Sequence, residues 1–165
     1  MRDKYLKQHE SMLELFGNED GSIPPAMQDL FDSATLNHER LQLLYADLDT
    51  NGFGLTLVHS SGKSWAIVIE DASHNGYFRY QCFKENGFMS HFTYPSADEA
   101  LADAYQSGYT SLANRDTLDR LCGTPEWNQG MEILNIITQL NANEITWDEA
   151  EQLRTEVITK YQRAA

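Results

Sequence analysis

The chain is poor in bases and in cysteine. Twelve Lys and Arg stand against 25 Asp and Glu in 165 residues, a formal charge of −13. Neutralising phosphates takes clustered Lys and Arg, so direct binding to nucleic acid is not expected, and neither is an anionic membrane surface. The two cysteines, Cys82 and Cys122, lie forty positions apart with no C-x-x-C. That spacing gives neither a disulfide framework nor a zinc site. Long apolar runs are also missing, and Met1 to Glu10 contain no apolar h-region, so a cytoplasmic location with reduced thiols is the expectation.

Catalytic signatures are scarce as well. The sequence contains no G-x-S-x-G, no phosphate-binding P-loop and no G-x-G-x-x-G. Its five histidines show neither H-E-x-x-H nor H-x-x-x-H spacing. A triad assembled in space leaves no such trace, but without a motif the binding protein is favoured over the enzyme, and no cofactor is implied.

What is present is a core. Residues of apolar type make up 41% of the chain, with eight Tyr, seven Phe and three Trp, enough to exclude wholesale disorder. The length suits one compact unit. Within it fall N-terminal helices over 1–52, a sheet-plus-helix core over 53–112, and a C-terminal helical region over 113–165.

Four short runs of β-branched and aromatic residues occupy Phe53–His59, Ser64–Glu70, Tyr77–Lys84 and Phe88–Tyr94. Gly, Asn and Ser clusters separate them. This is the pattern of a four-stranded antiparallel meander, and an α+β fold follows from the helical flanks. Alternation of period two buries one face under helices and leaves aromatics on the other.

Before the sheet, Tyr5, His9, Met12, Leu13 and Phe16 share a helical face. Two further helices are expected at about Ala26–Phe31 and Leu36–Ala46, with Leu36, Leu43, Leu44 and Leu48 on one side. After it, Ser96-Ala97-Asp98-Glu99 is a capping box that opens a helix to about Gln106. A short helix over Asn114–Leu121 is expected next. Thr124-Pro125-Glu126 starts a longer one, striped by Met131, Leu134, Ile137 and Leu140. Asn141-Ala142-Asn143 breaks it, and a second capping box, Thr146-Trp147-Asp148-Glu149, starts a last helix striped by Ala150, Leu153, Val157 and Tyr161. These two close as an antiparallel hairpin. The order of strands, Ser96-x-x-Glu99 helix and Gly108-Tyr109 resembles WGR-type domains over about residues 64–109. The likeness is architectural, with Tyr80-Gln81-Cys82 where that family has Trp-Gly-Arg.

Charge is unevenly spread. Residues 1–52 hold ten acids and four bases, residues 53–95 three of each, and residues 96–165 twelve acids and five bases. The predicted sheet is neutral and the helical flanks carry the excess. Such surfaces keep a small protein soluble; they also complement a basic partner. On the second reading the chain is an acidic, non-enzymatic binding protein that occupies a basic surface of a macromolecular partner. Its candidate contacts are Asp116, Asp119, Glu126, Glu132, Glu144, Asp148, Glu149 and Glu151. The most concrete form is a nucleic-acid mimic of the kind phages and plasmids direct against restriction or CRISPR systems. An immunity protein against a basic toxin and a secretion chaperone fit the same size and charge.

Two other sites compete with that one. Tyr77, Arg79, Phe83 and His91, with His59 nearby, would line a small-molecule or catalytic pocket if the aromatic sheet face stays open. Asp47-Leu48-Asp49-Thr50-Asn51-Gly52 matches the first half of an EF-hand loop, with oxygen ligands at Asp47, Asp49 and Asn51. The match then stops: Gly54 stands at the eighth position and Val58 where the bidentate glutamate belongs. Asp, Asn and Gly are equally the residues of an ordinary helix exit.

Overall fold

The computed structural model describes residues 22–164 together with Arg2, Lys7, Glu10, Ser11 and 14–16. Those N-terminal residues are helical, and the rest of the expected apolar face there (Tyr5, His9, Met12, Leu13) lies outside the described residues. A 3-10 turn at Pro25–Met27 leads into α1 (Gln28–Asn51). Then come β1 (Leu55–His59), β2 (Trp65–Glu70), β3 (Phe78–Lys84), β4 (Gly87–Tyr94), α2 (Ala97–Gln106) and β5 (Tyr109–Leu112). The chain ends with α3 (Thr117–Cys122), α4 (Pro125–Asn141) and α5 (Trp147–Ala164). The α+β class holds.

Two expectations are corrected. The sheet has five strands, ordered β4-β3-β2-β1-β5, instead of four. After α2 the short run Tyr109–Leu112 pairs antiparallel with β1, with a register shift between Val58 and His59. Four residues after a Gly carry little alternation, so only the free edge of β1 reveals them as a strand. The two helices expected before the sheet are one 24-residue helix. Nothing between Phe31 and Leu36 breaks it, since neither Gly nor Pro intervenes. Its buried stripe is Leu41, Leu44, Tyr45 and Leu48, whereas Leu36 and Leu43 face outward.

The chain divides into two compact units, 1–81 with 91–113 and 82–90 with 114–165. In the first, Leu55 and Leu57 of β1 stand opposite Val68 and Ala66 of β2, and all four are buried. α2 covers this region with Ala100, Leu101 and Ala104, each fully buried. The two alanines keep that face of the helix small. Ser96 caps it, its hydroxyl accepting from the Glu99 N–H at 3.3 Å.

In the second unit the turn end of the β3–β4 hairpin packs on α4. Phe83, Phe88 and Trp127 meet edge to face at centroid distances of 5.1 to 6.3 Å. Gly130 permits the approach: a Cβ there would lie 1.7 Å from the Asn86 carbonyl oxygen. α4 ends in a Schellman turn, with Asn143 left-handed at φ 59°, Glu144 N–H donating to Gln139 O, and Asn143 N–H to Leu140 O. The expected hairpin of α4 and α5 is present.

Candidate functional site

The eight acidic candidates all fall in the second unit, on α3, α4 and α5 or just ahead of α3 and α5. Half of them are already engaged. Asp116 pairs with Arg120 at 3.2 Å across one helical turn. Glu151 accepts from Arg154 Nη1 at 2.7 Å. Glu132 accepts from Lys160 Nζ at 2.6 Å and from the Tyr161 hydroxyl at 2.8 Å, which ties α4 to α5. Those two donors, the lysine first, hold the Glu132 carboxyl below its ordinary range, and the same contact raises Lys160.

Glu149 serves the helix start. Its Oε2 accepts from both the backbone N–H and the hydroxyl of Thr146 at 2.8 Å, while its own N–H donates to the Thr146 hydroxyl oxygen at 3.3 Å. This is the reciprocal capping box read from the sequence, and it lowers the Glu149 carboxyl, the Thr146 backbone N–H contributing most. Asp119, Glu126, Glu144 and Asp148 are exposed, and no hydrogen bond or ion pair of theirs is seen among the described residues. The acidic surface therefore splits into carboxylates that hold helices together and carboxylates that face solvent.

Trp147, the first residue of α5, is 66% exposed and stands beside Asp148. The sequence stripe did not single it out, because the capping box accounted for its neighbours. The signal was the large aromatic placed between a cap and two acids, where no packing role calls for it.

The residues of the alternative pocket differ in their surroundings. Phe83 is fully buried in the second unit's aromatic cluster, because β3 is covered on both faces from Tyr80 to Phe83. Tyr77 precedes β3 and is exposed, its ring 6.3 Å from that of His74. Arg79 is half-buried on β3 and His91 is exposed on β4. His59 has a local role at the end of β1. Its Nδ1 shares a 2.9 Å contact with the Ser61 hydroxyl, and its ring lies edge-on to Tyr109. The imidazole also lies over Gly108, where a Cβ would come within 2.6 Å of Nε2.

The EF-hand candidates belong to the last turns of α1, so their side chains follow helical spacing and not a loop. Asp47 accepts from the Asn51 side-chain amide at 2.8 Å, one turn away. Asp49 is turned to Arg2, accepting from both Nη atoms at 2.6 Å. Arg2 also binds Asp98 through Nε at 2.7 Å and stands over the Tyr45 ring at 4.6 Å. Among the described residues no group of three His, Cys, Asp or Glu is placed to hold a metal ion. Nor is any described helix long and apolar enough to cross a membrane.

A second polar cluster in the first unit was not foreseen. The Tyr80 and Tyr94 hydroxyls both donate to Asp103 Oδ2, at 3.0 and 2.6 Å, and Tyr80 also contacts the Ser107 hydroxyl at 3.2 Å. Burial, then the Asp103 carboxylate, raises the Tyr94 phenol. Such a phenol donates a hydrogen bond and does not act as a base. Cys122 is exposed as a residue, and partial desolvation of its thiol, then the Asp119 carboxylate, raise its pKa. Comparison with protein families, with curated proteins and with solved structures finds no match to this chain.

Proposed function

We propose that the protein is an acidic binding protein whose C-terminal helical unit occupies a basic surface on a macromolecular partner. The observation that supports this most directly is the set of exposed carboxylates free of partners among the described residues: Asp119, Glu126, Glu144 and Asp148. No hydrogen bond or ion pair among the described residues holds them, and a partner's Lys and Arg add charge-assisted hydrogen bonds to them. Association driven this way is fast and weakens with salt. Inhibition by nucleic-acid mimicry is the finer form of the reading, the partner then being a protein whose own ligand is a polyanion.

The test is affinity capture from a lysate of the source cells, with elution by a salt gradient and identification by mass spectrometry. A captured protein with a basic, nucleic-acid-binding face that releases at moderate salt supports the reading. Charge reversal at Glu126 and Asp148 should abolish that capture, whereas reversal at Glu10, outside the unit, should not. Capture that persists in high salt, or that survives the reversals, sinks the electrostatic mechanism.

A further inference from the structure

The α4–α5 hairpin carries an apolar groove of about 320 Å³, walled by Ile136, Ile137 and Leu140 of α4 and by Trp147 of α5, with Ala150 between. Helical spacing explains it. Trp147, Ala150, Glu151 and Arg154 fall at i, i+3, i+4 and i+7 and present one stripe. Ala150 is almost wholly buried and too small to fill the space beside its larger neighbours. Trp147 and Ile137 remain 66% and 41% exposed, so the walls of the groove are open to solvent.

Two polar features frame it. Glu144, in the turn before α5, and Asp148, on its first turn, are exposed carboxylates within three residues of Trp147 in the chain and have no partner among the described residues. Further along α5, Arg154 gives Nη1 to Glu151, while its Nε is buried and has no hydrogen-bond partner among the described residues.

We propose that this groove is the docking site for one amphipathic, basic helix of a partner protein. The proposal rests on the acidic-partner reading above and names the element that is bound. An aliphatic side chain of that helix enters beside Trp147, and its Lys or Arg residues meet Glu144 and Asp148. Its C-terminal carbonyl end, which carries the negative pole of the helix dipole, approaches the exposed part of the Arg154 guanidinium. Charge fixes the choice of occupant. A second copy of this chain would bring another −13 to the contact, and self-repulsion opposes that pairing.

The probe is a dye-labelled synthetic peptide of about 16 residues, long enough for a stable helix, with Leu on one face and Lys on the other. Binding to the full chain is read by anisotropy at two salt concentrations, with tryptophan emission as a second signal. Two control peptides replace Leu by Ala or Lys by Glu. The Leu/Lys peptide should bind, blue-shift the emission and weaken with salt. Trp147→Ala and Ile137→Ser, which leave the charge unchanged, should each weaken it by about tenfold or more. Melting curves confirm that both variants remain folded.

Equal binding of the Ala/Lys peptide would overturn the groove while leaving the acidic-surface reading intact, since charge alone would then suffice. Binding of the Lys-to-Glu peptide would overturn both. Failure of every peptide would overturn the groove, and lysate capture would still decide the broader reading independently. A dimer seen by light scattering and abolished by Trp147→Ala would assign the groove to a second copy and overturn the proposal.

Discussion

The two units differ in how their acids are engaged and in what stands beside them. In the first, four carboxylates are fasteners, while Asp29, Glu39 and Glu70 are exposed without partners among the described residues. Asp98 and Asp49 hold Arg2, Asp103 holds two tyrosines, and Asp71 holds the loop between β2 and β3 by accepting from the Thr93 hydroxyl at 2.6 Å and the Ser73 N–H at 2.8 Å. In the second, four of the eight candidate carboxylates are engaged, the other four face solvent without partners among the described residues, and the exposed Trp147 indole stands beside one of these, Asp148. A carboxylate satisfied inside a fold is committed to it; one left in water beside an exposed indole is free to be desolvated by something else. Net charge does not distinguish these cases, but hydrogen-bond partners do.

That contrast breaks hardest at the glycine on which the second unit closes. Gly130→Ala should destabilise the protein by about 3 kcal/mol or more, because the new Cβ meets backbone and not a yielding side chain. Urea denaturation measures this. A mild effect would mean that the β3–β4 turn does not sit against α4 as described.

In the first unit, Asp103→Ala removes the shared acceptor of Tyr80 and Tyr94 and should cost about 2 kcal/mol, since the Tyr80 hydroxyl is left buried. Asp148→Ala in the second unit should change stability by less than about 0.5 kcal/mol. Similar losses at the two positions would erase the distinction between fastening and free acids.

Titration separates them more finely. The Thr93 hydroxyl, then the Ser73 N–H, hold the Asp71 carboxyl at about 2, against an ordinary 3.8. The folded state thus keeps Asp71 ionised more readily than the unfolded chain does. The stability this supplies is complete above the ordinary value and is lost as pH falls from there toward about 2. Melting temperature should fall across that window in the parent protein, and the fall should be shallower in Asp71→Asn. The smallest effect on stability is expected for Trp147→Ala, within about 0.5 kcal/mol, because the indole is mostly in water already. A large loss would show that Trp147 supports the fold and is not free to bind.

Much of the local structure was legible in the residues. Ser96-x-x-Glu99 and Thr146-x-x-Glu149 announced two helix starts, Pro125 a third, and Asn143 a stop; each is a backbone satisfaction problem solved within a few residues. Four strands were readable from alternation for the same reason. β5 was not, because its evidence is the unpaired edge of β1, remote in sequence. Phe83 read as an open-face residue by period two, and only the packing of α4 on the hairpin turn buried it. Ile137 read as an inward stripe residue, yet α4 turns Trp127 and Ile136 inward and leaves Ile137 at the groove.

By itself the sequence determined the element types, most of their ends, and the excess of acid in the flanks, since these depend on propensity, capping and counting. Tertiary structure decided that Asp49, Asp98, Asp103 and Glu132 are spent on the fold, because pairing between residues remote in sequence depends on what stands within about 3 Å in space. It also decided that Trp147 stays in solvent, because burial needs a partner surface that no stretch of this chain specifies locally.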